Sequence, residues 1–170
     1  TDVSREAADM VLADDNFATI VEAVKEGRSV FDNLRKVILF LLSCNMSEVL
    51  VVAITALFSP QAALLPLQVL WINLVTDGLP ALALGVDPAD GEVMDRDPRE
   101  KDESILTRRR QLTILWHGFV ITTAVLVLGY AVAPALGATQ PESRTMLFTA
   151  LVLTQLLHAF NFRSDTHTVF

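Results

Sequence analysis

Cysteine is nearly missing from this sequence: Cys44 is the only one in 170 residues, so no disulfide can form within the chain. Set inside an apolar run, Cys44 reads as a small packed residue rather than a redox centre. No Cys/His cluster suits zinc or copper. No glycine-rich phosphate loop of the P-loop type occurs. No cleavable signal-peptide pattern, internal repeat or low-complexity segment is visible. Positive charge is scarce: 13 Lys and Arg against 20 Asp and Glu give a net charge of −7, which excludes a nucleic-acid partner that needs a basic surface. The acidity sits in the stretches between apolar segments and is a property of solvated loops.

Hydrophobic residues make up 52% of the chain and are gathered into long blocks at residues 37–58, 64–86, 112–136 and 146–162. Each is close to the ~20 residues that a helix needs to cross a bilayer core. Apart from Glu48, Asp77, His117 and His158, the blocks hold no ionisable side chain beyond Cys44 and Tyr130. A buried helix of a soluble bundle would keep a polar stripe for water, and none is wide enough here. The reading is mainly α, a four-helix transmembrane bundle. Lys25, Arg28, Arg35 and Lys36 precede the first block, and Arg96, Arg99, Lys101 and Arg108–Arg110 lie between the second and third. By the positive-inside rule those sides are cytoplasmic. The connections 59–63 and 134–143 carry no Lys or Arg and face the other way, with Arg144 a mild exception at the edge of the fourth block.

The first 27 residues differ from the rest. A short polar helix at 4–8, a strand at Met10-Val11-Leu12 and a helix opening at Asp14-Asp15-Asn16 make a helix–strand–helix remnant of a soluble domain. Too short to bury a core alone, it implies that the chain begins inside a domain whose remainder lies upstream. Asp14, Asp15 and Asn16 resemble a metal cluster, but such residues ahead of Phe17, Ile20, Val21 and Val24 are what a helix N-terminus recruits, and the cap reading is favoured. That helix passes Gly27 and runs through Val30, Phe31 and Leu34 into the first block, which suits it to carry motion into the bilayer. The loop 87–110 is rich in Pro, Asp, Glu and Arg; Arg108-Arg109-Arg110 reads as an anchor at the headgroups.

An ionisable side chain at the middle of a membrane helix costs about 2.5–3.5 kcal/mol, so those kept there are functional candidates. Asn45 and Glu48 share one face of the first block. Asn73, Thr76 and Asp77 share a face of the second. Together they offer hard oxygen ligands of the kind that Ca2+ collects in numbers of about 6 to 8. Gly78-Leu79-Pro80 follows at once, and Pro80 clashes with the carbonyl of Thr76. A helix broken in mid-membrane is tolerated where freed carbonyls line a cavity, as at ion sites in transporters. Singly, Asn45, Asn73 or Thr76 could be interhelical glue. Two carboxylates beside a break favour a cation site.

These residues carry a family resemblance. Thr1-Asp2-Val3, Glu6 to Phe17 and Glu26-Gly27-Arg28 resemble the end of the phosphorylation domain of P-type ATPases. Ser43-Cys44-Asn45-Met46-Ser47-Glu48-Val49 and Leu70 to Ala81 resemble the fifth and sixth transmembrane helices of calcium pumps of the sarcoplasmic-reticulum type. Met94-Asp95-Arg96 and Pro98-Arg99 match the following loop. The resemblance covers essentially the whole chain and implies part of a ten-helix membrane domain with a remnant of an α/β phosphorylation domain. Residues 1–27 would end that domain, 28–58 form the stalk and fifth helix, 64–86 the sixth, 87–111 a cytoplasmic loop, 112–136 the seventh and 144–163 the eighth.

The resemblance further implies that Asn45, Glu48, Asn73, Thr76 and Asp77 fall on calcium ligands. At the eighth-helix position where two-site pumps carry Glu, this chain has Gln155, as in plasma-membrane and secretory-pathway pumps that move one calcium per ATP. A single ion held mainly by Asn73 and Asp77 is therefore expected, with Glu48 a second ligand or a carrier of returning protons. Asn-Leu-Val-Thr-Asp favours calcium over sodium/potassium pumps, and Mn2+ fits the same oxygens. The phosphorylated aspartate motif Asp-Lys-Thr-Gly-Thr and the Mg2+-binding Gly-Asp-Gly segment are not in this sequence. The implied enzyme is a Ca2+-transporting ATPase whose ATP and Mg2+ bind outside these residues, so the chain alone should be inactive. Its partners would be the lipid bilayer and the remaining domains and helices of the pump, in a bacterial plasma membrane. Rival readings are an ATP-independent channel or secondary transporter, and a regulatory membrane subunit.

Overall fold

The computed structural model describes residues 2–9, 11–12, 16–58, 63–88, 93–95, 97 and 104–163. Helix α1 is Asp2–Glu6, two residues earlier than its polar pattern suggests. The strand expected at residues 10–12 is not formed: Met10 lies outside the described residues, Val11 and Leu12 are in no regular element, and no strand occurs among the described residues. A strand needs a neighbour for its N–H and C=O groups, and none is on hand among the described residues. The helix–strand–helix remnant is corrected accordingly to a short helix followed by a long one. Asp14 and Asp15 also lie outside the described residues, but the cap is visible in Asn16, whose Oδ1 accepts the Ala18 N–H at 3.0 Å.

Helix α2, Phe17–Phe58, is unbroken for 42 residues. At 1.5 Å per residue it is roughly 63 Å long, twice the ~30 Å of a hydrocarbon core. Gly27 does not interrupt it, and a methyl added there would meet nothing within 4 Å. Next come α3, Pro66–Trp71, a π-helical turn Ile72–Thr76, and α4, Gly78–Gly85. Helix α5, Arg108–Val127, leads through a second π turn, Leu128–Val132, to the short α6, Ala133–Ala135. Helix α7, Gln140–Ala159, ends in a 3-10 turn, Phe160–Phe162. Four stretches are long and apolar enough to cross a membrane: Phe17–Phe58, Pro66–Gly85, Arg108–Ala135 and Gln140–Phe162. Helices α5 and α7 start several residues before their apolar blocks, since the polar side chains of Arg108–Arg110 and Gln140–Thr145 do not oppose helix. Thr139 closes the start of α7, its N–H and hydroxyl both meeting Glu142 Oε2 at 2.7 and 2.8 Å.

Helix α2 is the axis, packed by α5 and α4, while α7 packs on α5 and on both π turns. Small residues allow close approach. A Cβ at Gly118 of α5 would lie 2.7 Å from Met46 Cγ of α2, and one at Gly129 would fall onto the Leu147 side chain of α7. Thr122 Oγ1 donates to the Gly118 carbonyl of its own helix at 2.7 Å and lies 3.2 Å from the Ser47 carbonyl across the same α5–α2 contact.

Candidate functional site

The buried stripe of α2 runs Phe40, Ser43 and Cys44, Ser47 and Glu48, Val51, Thr55, spaced three or four residues apart. Its two ends enter apolar clusters. Phe40 and Cys44 pack with Leu84 and Phe162 at one end; Val51 packs with Ile72, Ile121, Val125 and Leu151 at the other. Cys44 is buried and unpaired to sulfur, as its place in an apolar run predicts. Glu48 therefore sits between two dry clusters, 4% exposed.

Most buried hydroxyls here are satisfied by their own helix. Ser43 donates to the Leu39 carbonyl at 2.8 Å, Ser47 to that of Cys44 at 2.7 Å, and Thr55 to that of Val51 at 2.7 Å. Another group behaves differently. Thr76 Oγ1, both carboxylate oxygens of Asp77 and Gln155 Oε1 are buried without a hydrogen-bond partner. Orphaned buried oxygens are rare in folded proteins and call for a ligand or a role. Asp77 lies within electrostatic range of Glu48 and Cys44.

The local backbone explains how these groups come to be there. Residue 80 is proline, so the Thr76 carbonyl loses its usual N–H partner four residues on. The chain answers by widening: the Asp77 N–H reaches back five residues to the Ile72 carbonyl at 3.0 Å. The expected break is thus a π turn within a continuous helical path, a device frequent at functional sites. The second π turn likewise shortly precedes a proline, Pro134.

Glu48 gathers two amides. Asn73 Nδ2 donates to its Oε2 at 2.8 Å, and Gln155 Nε2 of α7 donates to its Oε1 at 2.9 Å. Gln155, 107 residues away in sequence, is wholly buried beside it. Of the six candidate residues, Glu48, Asn73 and Gln155 are directly linked, and Thr76 and Asp77 are buried on the adjoining turn. Asn45 is placed elsewhere: it is exposed and its amide donates to the Leu41 carbonyl at 2.8 Å. Three residues before Glu48 lies the rim of the face, whereas the fourth, Cys44, lies in its centre.

The periodicity gives no signal for a second polar junction. Lys36 is buried, its Nζ donating to the Arg163 carbonyl at 2.9 Å and standing 3.8 Å from Asp87 Oδ2. Arg163 Nε is 3.8 Å from Asp87 Oδ1, and Asn33 Nδ2 donates to the Asp87 carbonyl at 2.7 Å. Further up α2, Arg28 donates to the Val93 carbonyl at 2.9 Å. These contacts fasten the segment below the first apolar block to the ends of the second and fourth. Their only trace in the sequence is that Lys36, Asp87 and Arg163 each stand one residue outside an apolar block. An aromatic box beside it joins His117, His158, Phe40 and Phe162, with the two imidazoles at 4.7 Å between centroids.

No group of three or more His, Cys, Asp or Glu fit to hold a metal exists among the described residues. The arrangement is instead two carboxylates, two amides and a hydroxyl, an oxygen-rich set suited to a hard cation in transit rather than to a resident transition metal.

The family profile described as "Cation transporting ATPase, C-terminus" matches residues 61–170. The "Calcium-transporting ATPase" of Bacillus subtilis (strain 168) is 44% identical over 166 residues, covering 98% of this chain and 19% of that protein. The human "Calcium-transporting ATPase type 2C member 2" is 37% identical over 170 residues, all of this chain and 18% of that protein. "Calcium-transporting ATPase 2, endoplasmic reticulum-type" of Arabidopsis thaliana is 45% identical over 140 residues, 81% of this chain and 13% of that protein. The chain thus spans about a fifth of the length of the curated relatives it matches, 19% in the Bacillus case.

Proposed function

We infer, because this chain belongs to the cation-transporting ATPase family and matches its C-terminal part, that it forms the ion-binding membrane portion of an ATP-driven calcium pump. In this reading the parent enzyme exports Ca2+ from the cytoplasm through a phosphoenzyme cycle, one ion per ATP. ATP and Mg2+ bind to upstream domains, and the four spans are the fifth to eighth helices, with the start of α2 on the cytoplasmic side of a bacterial plasma membrane. The observation that carries it is the buried Asp77, whose two carboxylate oxygens have no hydrogen-bond partner at a π turn.

Thr76, Asp77 and Gln155 supply oxygens to the ion, and Asn73 completes the set from the edge of the turn. Neutral Gln155 in place of a carboxylate limits the negative charge of the site, which supports a single ion. Binding there couples to phosphorylation upstream only as far as the ion's affinities for the two conformations differ. Helix α2 is the transmitter, since one unbroken rod runs from the segment outside the bilayer to Glu48, which is hydrogen-bonded to Asn73 and Gln155.

The test is phosphoenzyme formation from ATP in the intact pump with Ca2+, Mn2+ or Mg2+, beside Asp77→Asn. Micromolar Ca2+ should trigger it and the substitution should abolish it. Dependence on Mn2+ instead would change the cargo and keep the architecture. If no phosphoenzyme forms, the pump reading fails in favour of a channel or secondary transporter. A bound-ion to phosphoenzyme ratio near two would overturn the single-ion stoichiometry.

A further inference from the structure

Helix α2 and the second span run antiparallel, and their register is fixed at two levels. Glu48 Oε2 accepts from Asn73 at 2.8 Å, and nearer the start of α2 Asn33 Nδ2 meets the Gly85 and Asp87 carbonyls at 3.4 and 2.7 Å. Between these levels, one turn back from Glu48 and one turn on from Asn73, Cys44 faces Asp77. The apolar packing agrees, since Cys44 packs with Ala81 and Leu84 of α4, one and two turns beyond Asp77. The thiol lies within interaction range of the Asp77 carboxylate. Cys44 is wholly buried, and Asp77 is 1% exposed with both carboxylate oxygens unpartnered.

A hydroxyl at residue 44 would be drawn into its own helix, as those of Ser43, Ser47 and Thr55 are. A thiol is a weak donor, so its sulfur stays available to the space before Asp77. Sulfur is also a soft ligand, whereas Ca2+ collects oxygens. We propose that Cys44 and Asp77 form a binding site for soft divalent cations of about the size of Ca2+, with Cd2+ the representative ion, and that such an ion stops the pump by taking the place of Ca2+. The proposal deepens the transport reading above and rests on it for the ion's route of entry. Cd2+ takes the sulfur of Cys44 and an oxygen of Asp77; the S–H bond breaks as the S–Cd bond forms, and the proton leaves to the buffer. Thr76 Oγ1, buried without a partner on the same turn, adds a neutral oxygen. The S–Cd bond has no counterpart in the Ca2+ complex and holds the ion where Ca2+ would be released.

The test titrates Ca2+-dependent phosphoenzyme formation from ATP with Cd2+ in the intact pump, for wild type, Cys44→Ser and Cys44→Ala. The quantity read is the Cd2+ concentration for half inhibition divided by the Ca2+ concentration for half activation, so that a general weakening of the site cancels. Loss of the sulfur should raise this ratio about tenfold or more in both variants. Cd2+ added to the purified wild type should also produce a thiolate-to-cadmium charge-transfer absorption in the ultraviolet. One equivalent of that absorption should disappear with excess Ca2+, and the same equivalent should be missing from Cys44→Ser. Equal ratios in wild type and both variants overturn the proposal, as does an absorption that neither Ca2+ nor Cys44→Ser reduces. A wild type that forms no phosphoenzyme with Ca2+ yet gains the Cys44-dependent absorption retains the soft-cation site and sinks the transport reading, which keeps the two failures apart.

Discussion

At the scale of single residues the site is marked by buried side-chain oxygens that lack partners. Ser43, Ser47 and Thr55 return their hydroxyls to their own helix, while Thr76, Asp77 and Gln155 do not. Gln155→Glu replaces a hydrogen bond to Glu48 with a second carboxylate at about the same distance. Loss of a charged hydrogen bond amounts to about 1.5–3 kcal/mol. We expect the Ca2+-free protein to melt several degrees lower, with millimolar Ca2+ recovering most of the loss, as followed by thermal unfolding in detergent. Asn45→Ala gives the contrast. Its amide serves only the Leu41 carbonyl, so the apparent Ca2+ affinity of the intact pump should change less than threefold, within about 0.7 kcal/mol.

At the scale of elements, proline writes the π turn and glycine sets the helix spacing. Pro80→Ala restores an N–H for the Thr76 carbonyl and removes the ring clash that favours the wide turn. The helix should gain stability while Thr76 and Asp77 rotate off the inward face. Expected readouts are a higher melting temperature together with at least tenfold weaker Ca2+ activation; a gain in both would contradict the role given to the turn. Gly118→Val places bulk where even a Cβ alone would lie 2.7 Å from Met46 Cγ. Overpacking of this kind destabilises by about 1–3 kcal/mol, and the loss should appear as a lower unfolding midpoint and weaker Ca2+ activation, since Met46 neighbours Ser47 and Glu48.

At the scale of the whole molecule, α2 joins two polar levels separated by an apolar band. One is the Glu48 level; the other is the Lys36, Asp87 and Arg163 junction, three to four turns away along the same rod. Asp87→Ala leaves the buried Lys36 with only the Arg163 carbonyl. The pairs are long and partly exposed, so a loss of about 1–3 kcal/mol is expected rather than the larger value for a fully buried pair. If the junction also transmits, the variant should bind Ca2+ normally and form phosphoenzyme more slowly; equal phosphorylation rates with a lowered melting temperature would assign it to stability alone.

The sequence by itself determined the four apolar helical stretches, the long helix through Gly27, and the polar groups set within those stretches, because hydropathy and helical periodicity are local properties. It also located the disturbance at Pro80, since the lost N–H and the ring clash follow from one residue. Only the tertiary structure decided that the disturbance is a π turn, that Val11 and Leu12 form no strand, and that Asn45 stands outside the cluster. It alone paired Glu48 with Gln155, and Lys36 with Asp87 and Arg163. Helical spacing tells which residues share a face, but not which face meets which neighbour. That choice depends on packing among distant helices, where Gly118 and Gly129 let backbones close in and a buried carboxylate takes the donors within reach.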